Sequence, residues 1–183
     1  RAGGGGGWQN IAPSALAFGD AYPVPLEMDR KTIDDTLKLF AVSTRRAREA
    51  GFDIVELHAA HGYLIHEFLS PLSNRRSDDY GGSFDNRTRF LREAIAAVRS
   101  EWPGDKPLFV RISSADWMEG GWELESSVKL AQVLKAGGEV DLIDCSSGGI
   151  DPRQKMKIHP GYQVPFAAEI RARTGMATGA VGL

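Results

Sequence analysis

The most informative stretch of the sequence runs from His58 to Pro71, because it sets two histidines three residues apart, His58 and His61, with Tyr63 two positions further on. At the end of a strand, imidazoles at this spacing reach into one cleft and donate hydrogen bonds to a single oxygen. A phenol beside them is placed to deliver a proton. The same pair could equally ligate a metal ion or be two structural histidines. With Glu67 as a third ligand it would begin a metal-dependent barrel hydrolase site, but neither His159 nor a clustered carboxylate supplies the further ligands such a site needs. Spacing alone leaves these readings open.

Arg111 is a second chemical signal. It lies between Val110 and Ile112, and a guanidinium on the inward face of a strand needs an anionic or carbonyl partner. Glu56, two residues before His58 on the same face, is one such partner. His66 is expected to cap or pack within its own loop, the charged run from Asn74 to Tyr80 to be a structural loop, and Cys145 to be a small core residue.

These groups must be positioned by regular elements, and the apolar periodicity shows where those fall. Ile33, Leu37, Phe40, Thr44 and Ala47 predict a helix over 29–50, capped by Asp29 and ended by Gly51. Residues 52–58 read as a strand. A helix opens at Ser83 and Asn86, carries Phe90, Leu91, Ala94, Ile95, Val98 and Trp102 on one stripe, and ends at Pro103-Gly104. A strand over 108–112, a helix over 124–136, a strand over 140–145, a helix over 165–174 and a last strand over 176–182 complete the pattern. Before them, residues 1–28 form an irregular loop segment: five consecutive glycines, Gly3 to Gly7, predict a mobile loop, and the Pro, Ala and Gly of 8–25 predict a surface excursion.

Strands alternating with amphipathic helices imply a parallel α/β sheet. Glu56, His58 and Arg111 fall on the face opposite Val55, Leu57, Val110 and Ile112, so one face meets helices and the other a polar centre. A doubly wound sheet would be apolar on both faces. A barrel is therefore expected, occupying residues 29–183, with its active groups at the C-terminal strand ends.

Of the 183 residues, 42% are hydrophobic, enough for one globular core. The 22 basic and 24 acidic residues are interspersed and leave a net charge of −2, so no footprint for nucleic acid or an anionic membrane is present. The single cysteine excludes an internal disulfide or a four-cysteine metal site within the sequence and suits a reducing, cytoplasmic setting. No basic-then-apolar leader and no bilayer-length apolar run stand out.

The longer string turns these signals into a resemblance. His58 to Pro71, continued through Leu72-Ser73-Asn74-Arg75-Arg76-Ser77-Asp78-Asp79-Tyr80-Gly81-Gly82-Ser83 and Asn86-Arg87, resembles the loop after the fourth strand of Old Yellow Enzyme ene-reductases. In the same order, Leu108 to Ser113 looks like the fifth strand and Val140 to Gly149 the sixth with its loop. His159-Pro160-Gly161-Tyr162-Gln163 and Ala177-Thr178-Gly179-Ala180-Val181-Gly182 look like the segments that follow. His rather than Asn at 61 points to the bacterial, thermophilic-like branch. The resemblance spans residues 10 to 183 and implies a (β/α)8 TIM barrel, here covering strands four to seven, with strands one to three and eight outside the sequence.

It also implies a chemistry: FMN as cofactor, NADPH or NADH as hydride donor, and an enone or nitro compound as substrate. His58 and His61 then bind the carbonyl or nitro oxygen, and Tyr63 protonates the α-carbon unless water does so and the phenol only packs. Arg111 faces flavin N1 and O2. Ser147, Gly148 and Gln163 surround the flavin, and Gly179 and Gly182 let backbone N–H groups approach its phosphate. The parent protein is expected to be a homo-oligomer. A noncatalytic remnant of such an enzyme is the other reading.

Overall fold

The computed structural model describes residues 8–182; the glycine run at Gly3 to Gly7 lies outside them. Six strands and five helices follow one another: β1 (Ile11–Ala12), β2 (Leu26–Glu27), α1 (Arg30–Glu49), β3 (Val55–Ala59), α2 (Leu64–Leu69), α3 (Phe84–Arg99), β4 (Leu108–Ser113), α4 (Leu124–Gly137), β5 (Leu142–Ser146), α5 (Val164–Thr174) and β6 (Ala177–Ala180). The last four strands form one parallel sheet in chain order β3-β4-β5-β6.

Helix boundaries follow local chemistry. The Asp29 carboxylate accepts from the Thr32 amide at 2.7 Å and caps α1, and Ser83 accepts from the Asn86 amide at 3.2 Å and caps α3. Gly138 and Gly175 end α4 and α5 in the left-handed conformation. The outward side chains of the sheet, Leu57, Val110, Ile112, Ile143 and Cys145, are buried against Phe90, Leu91, Ile95, Val128, Leu134 and Ile170 of the helices. Cys145 is thus a small core residue, and burial pushes its thiol pKa up to about 11.

Among the described residues, the other face of the sheet carries no helix. Pairing register aligns His58, Arg111, Asp144 and Gly179 in one row across all four strands. This apolar-out, polar-in division is the one expected of a barrel wall, and it places the row beside the C-terminal loops.

The structure corrects the sequence reading at several edges. The strand expected from 52 begins at Val55, because Gly51 and Phe52 close the end of α1 with hydrogen bonds back to Arg48 and Ala47. The fifth and last strands are also shorter than expected. Helix α2 was not foreseen: six residues are too few for a helical period to emerge. Within the segment expected to be irregular, β1 and β2 make a short parallel pair. The loop from Asn74 to Tyr80 is structural, since the buried Asn74 amide donates to Phe68 O and Tyr80 O at 2.7 and 2.8 Å.

Candidate active site

His58 sits near the C-terminal end of β3, and the chain then turns sharply at His61 and Gly62, both at positive φ, 59° and 74°. The turn stacks the three expected side chains together. The His58 and His61 ring centroids lie 5.0 Å apart, and those of His58 and Tyr63 5.2 Å apart. Tyr63 is 64% exposed, its ring lying over the strand end.

The two imidazoles are held differently. His61 Nε2 lies 2.5 Å from Ser146 Oγ, and the Gln163 amide donates to the same hydroxyl at 3.1 Å. Ser146 Oγ thus links the His61 ring to the Gln163 amide. The His58 ring makes no hydrogen bond among the described residues and keeps its N–H free. Burial first, then the charge of Arg111 and the neighbouring histidines, lowers the pKa of both rings below the ordinary value. Both are accordingly neutral donors at neutral pH.

Arg111 is paired more strongly than the sequence suggested. Its Nε donates to Asp144 Oδ2 at 2.7 Å, its Nη2 lies 2.5 Å from the same oxygen, and Glu56 Oε1 is 3.2 Å from Nε. Partial desolvation raises the Glu56 pKa against the pull of Arg111. Asp144 escaped the sequence reading, although a signal existed: Asp144 alternates with Ile143 and Cys145, which places it on the inward face beside Arg111.

The remaining expected residues cluster around the end of β5. The Gly148 amide donates to Ala115 O at 2.8 Å, and a side chain at 148 would meet Gln154 and Met156 at 2.8 Å. Ser147 Oγ is 3.8 Å from the Met156 sulfur. Gln163 is 1% exposed; its amide nitrogen is satisfied, while its Oε1 has no hydrogen-bond partner among the described residues. Gly179 has a reason of its own within the sheet, since a Cβ there would lie 2.9 Å from Asp144 Oδ1. Gly182, at φ 76°, faces the Tyr162 ring.

Gly149, which sequence reasoning passed over, locks the site. A Cβ at 149 would be 2.4 Å from His61 Cα, and one at Gly62 would be 2.1 Å from Gly149 O. The loops after β3 and β5 therefore touch backbone to backbone.

Glu67 stands apart from the histidine pair. With Tyr63 and Leu64 it lines a cavity of about 620 Å³, walled on the other side by Trp8, Phe18 and Tyr22. Burial pushes its carboxyl up to about 7. Among the described residues no three His, Cys, Asp or Glu side chains gather as metal ligands, and no helix is long and apolar enough to cross a membrane.

A parallel β/α wall with polar groups at its C-terminal strand ends is the architecture of part of an α/β barrel, and the match along the chain gives the family. Residues 10–183 match the NADH:flavin oxidoreductase / NADH oxidase family, the Old Yellow Enzyme family, and the chain belongs to it. It is 56% identical over 173 residues to an NADPH dehydrogenase of Geobacillus sp. (strain WCH70), covering 94% of this chain and 50% of that protein. The chain thus spans about half the length of the curated relatives it matches. Among solved structures, a 2-naphthoyl-CoA reductase complex superposes with a TM-score of 0.86 at 29% identity, over 94% of this chain and 27% of that one. Morphinone reductase in complex with tetrahydroNAD does so at 0.74 and 25% identity, over 94% of this chain and 49% of that one.

The residues present fit a flavin. The unpartnered Gln163 Oε1 is a buried acceptor suited to a ring N–H, and such a carbonyl is costly to leave unpaired. Arg111 Nη1 makes no hydrogen bond among the described residues and is a donor suited to a ring carbonyl.

Proposed function

We propose that the protein acts as an FMN-dependent ene-reductase, moving hydride from NADPH or NADH to the activated C=C bond of α,β-unsaturated carbonyl or nitro compounds. The single observation that carries this reading is the packing of neutral His58 against both His61 and Tyr63 at the end of a barrel strand, with His58 in register with Arg111. Neutral imidazole N–H groups hold the acceptor's oxygen without adding a net charge, and in doing so draw electrons from the β-carbon. The exposed Tyr63 phenol is within reach of a molecule held there and gives the proton to the α-carbon.

Bound FMN would supply the two-electron hydride carrier. Arg111 and Gln163 would hold its ring, with Ser147 and Gly148 alongside, and the backbone at Gly179 and Gly182 would receive its phosphate. Asp144 and Glu56 keep Arg111 in place, and they also offset its charge, so Arg111 acts chiefly as an oriented donor.

The test is to purify the full-length protein, record its visible spectrum, and follow NADPH oxidation with cyclohexenone or a nitroalkene. Bound yellow FMN and enone-dependent turnover are expected, and Tyr63→Phe should slow the oxidative half-reaction while substrate affinity stays nearly unchanged. Failure to bind FMN, with a stoichiometric divalent metal retained instead, would replace this reading with a hydrolase.

A further inference from the structure

Beneath the His61–Gly62 turn lies a buried polar chain that the proposed reaction does not itself use. Asp116 and His66 are 0% and 1% exposed. Asp116 Oδ1 is 2.9 Å from His66 Nε2, and its Oδ2 accepts from Ser70 Oγ and from the Trp122 amide, each at 2.6 Å. On the other side of the imidazole, the Gly62 amide donates to His66 Nδ1 at 2.9 Å.

Counting donors fixes each proton. A backbone N–H can only donate, so His66 Nδ1 is bare and the ring proton sits on Nε2, directed at Asp116. Ser70 Oγ accepts from the Leu72 amide at 3.2 Å and gives its own proton to Asp116. Asp116 is an acceptor in each of these contacts. Removing such a group from water is costly unless it is fully satisfied, as it is here.

The chain ends at the link between two substrate-facing groups. His61 adopts left-handed backbone geometry, which is unfavourable for a residue with a side chain and persists only where its surroundings enforce it. Its own amide is held by Ser113 Oγ at 3.0 Å, and Gly149 packs on its Cα. The next amide, that of Gly62, is held by His66, and Tyr63 follows immediately.

We propose that His66 and Asp116 are positioning residues for the reaction: Asp116 holds the Nε2–H tautomer of His66, and the bare Nδ1 so created fixes the Gly62 amide and with it the placement of Tyr63 relative to His61. The proposal rests on the ene-reductase reading for the roles of His61 and Tyr63, but the hydrogen-bond relay is testable without it.

Two substitutions separate positioning from burial of a satisfied carboxylate. His66→Asn places a carbonyl oxygen where Nδ1 was and keeps the Gly62 contact while abandoning Asp116. His66→Gln places an N–H where Nε2 was and keeps Asp116 while abandoning Gly62. In the full-length protein, His66→Gln should be the more stable variant but the slower, losing about 10²-fold in alkene reduction from a small misplacement. His66→Asn should be the less stable variant but the faster. Asp116→Asn turns an amide NH2 toward His66, forces its proton onto Nδ1 against the Gly62 N–H, and should reproduce the loss. Gly62 amide hydrogen exchange, read by NMR, should quicken in His66→Gln and Asp116→Asn and not in His66→Asn. If activity instead follows stability across the three variants, or Gly62 exchange does not change, the positioning role is overturned. If wild-type protein reduces no alkene but Gly62 exchange follows the expected order, the relay stands and the proposed reaction is what fails.

Discussion

His58 and His61 share a spacing but not a situation. His61 is tied through Ser146 to Gln163, whereas His58 is free to donate, so the two substitutions should differ. His58→Ala removes an unengaged donor and should slow alkene reduction by about 3 kcal/mol of transition-state stabilisation, roughly 10²-fold, with flavin reduction little changed. Stopped-flow measurement of the two half-reactions checks this; equal slowing of both would remove His58 from substrate binding. Glu67 makes a different, pH-dependent contribution. Its folded pKa of about 7 lies above the ordinary 4.5, so the folded state retains a proton that the unfolded state has lost between those values. Stability therefore falls as pH rises from about 4.5 to 7, and Glu67→Gln should recover at most about 3 kcal/mol at pH 8 and nothing at pH 4. Urea titrations at the two pH values are the measurement, and equal effects at both would contradict the burial argument.

At the scale of elements, the site depends on where loops meet. The ends of β3 and β5 do not pair directly, since β4 lies between them, yet Gly62 and Gly149 bring their loops into backbone contact. Gly149→Ala would force a Cβ against His61 backbone atoms at 2.4–2.8 Å and hold alanine at φ 98°. It should destabilise the protein by more than about 2 kcal/mol and disturb both histidines. A crystal structure and a thermal melt of the variant check this. Gly82→Ala is the control, because it has positive φ but nothing within 4 Å of its Cβ position, and it should carry only the backbone cost.

On the whole-molecule scale, the four-stranded sheet is one wall with a helical back and a polar front. Among the described residues, β3 and β6 each pair with one neighbour only, and edges of this kind invite association. Exposed Phe52 and Ile54 lie just before β3 and add apolar surface there. A polypeptide of these 183 residues alone should therefore self-associate and bind FMN weakly, which sedimentation and a flavin titration would show. A monomer with tight FMN binding and ordinary turnover would mean that one wall is sufficient.

The sequence by itself determined the alternation of the long helices with the four strands of the main sheet and the division of that sheet into two faces, because side-chain periodicity is a local property. It also marked His58, His61, Tyr63 and Arg111, whose types and strand-end placement carry chemistry wherever they occur. It did not reveal the Asp144 partner of Arg111, the clamp of Gly149 on His61, or the relay from Asp116 through His66 to Gly62. Each joins residues 33 to 88 positions apart or is completed by such a contact, and only pairing register and loop closure bring them together. Helix α2 belongs with these: six residues cannot sustain a helix in water, and it is its buried face, Ile65, His66, Phe68 and Leu69, packed into the tertiary structure, that makes it one.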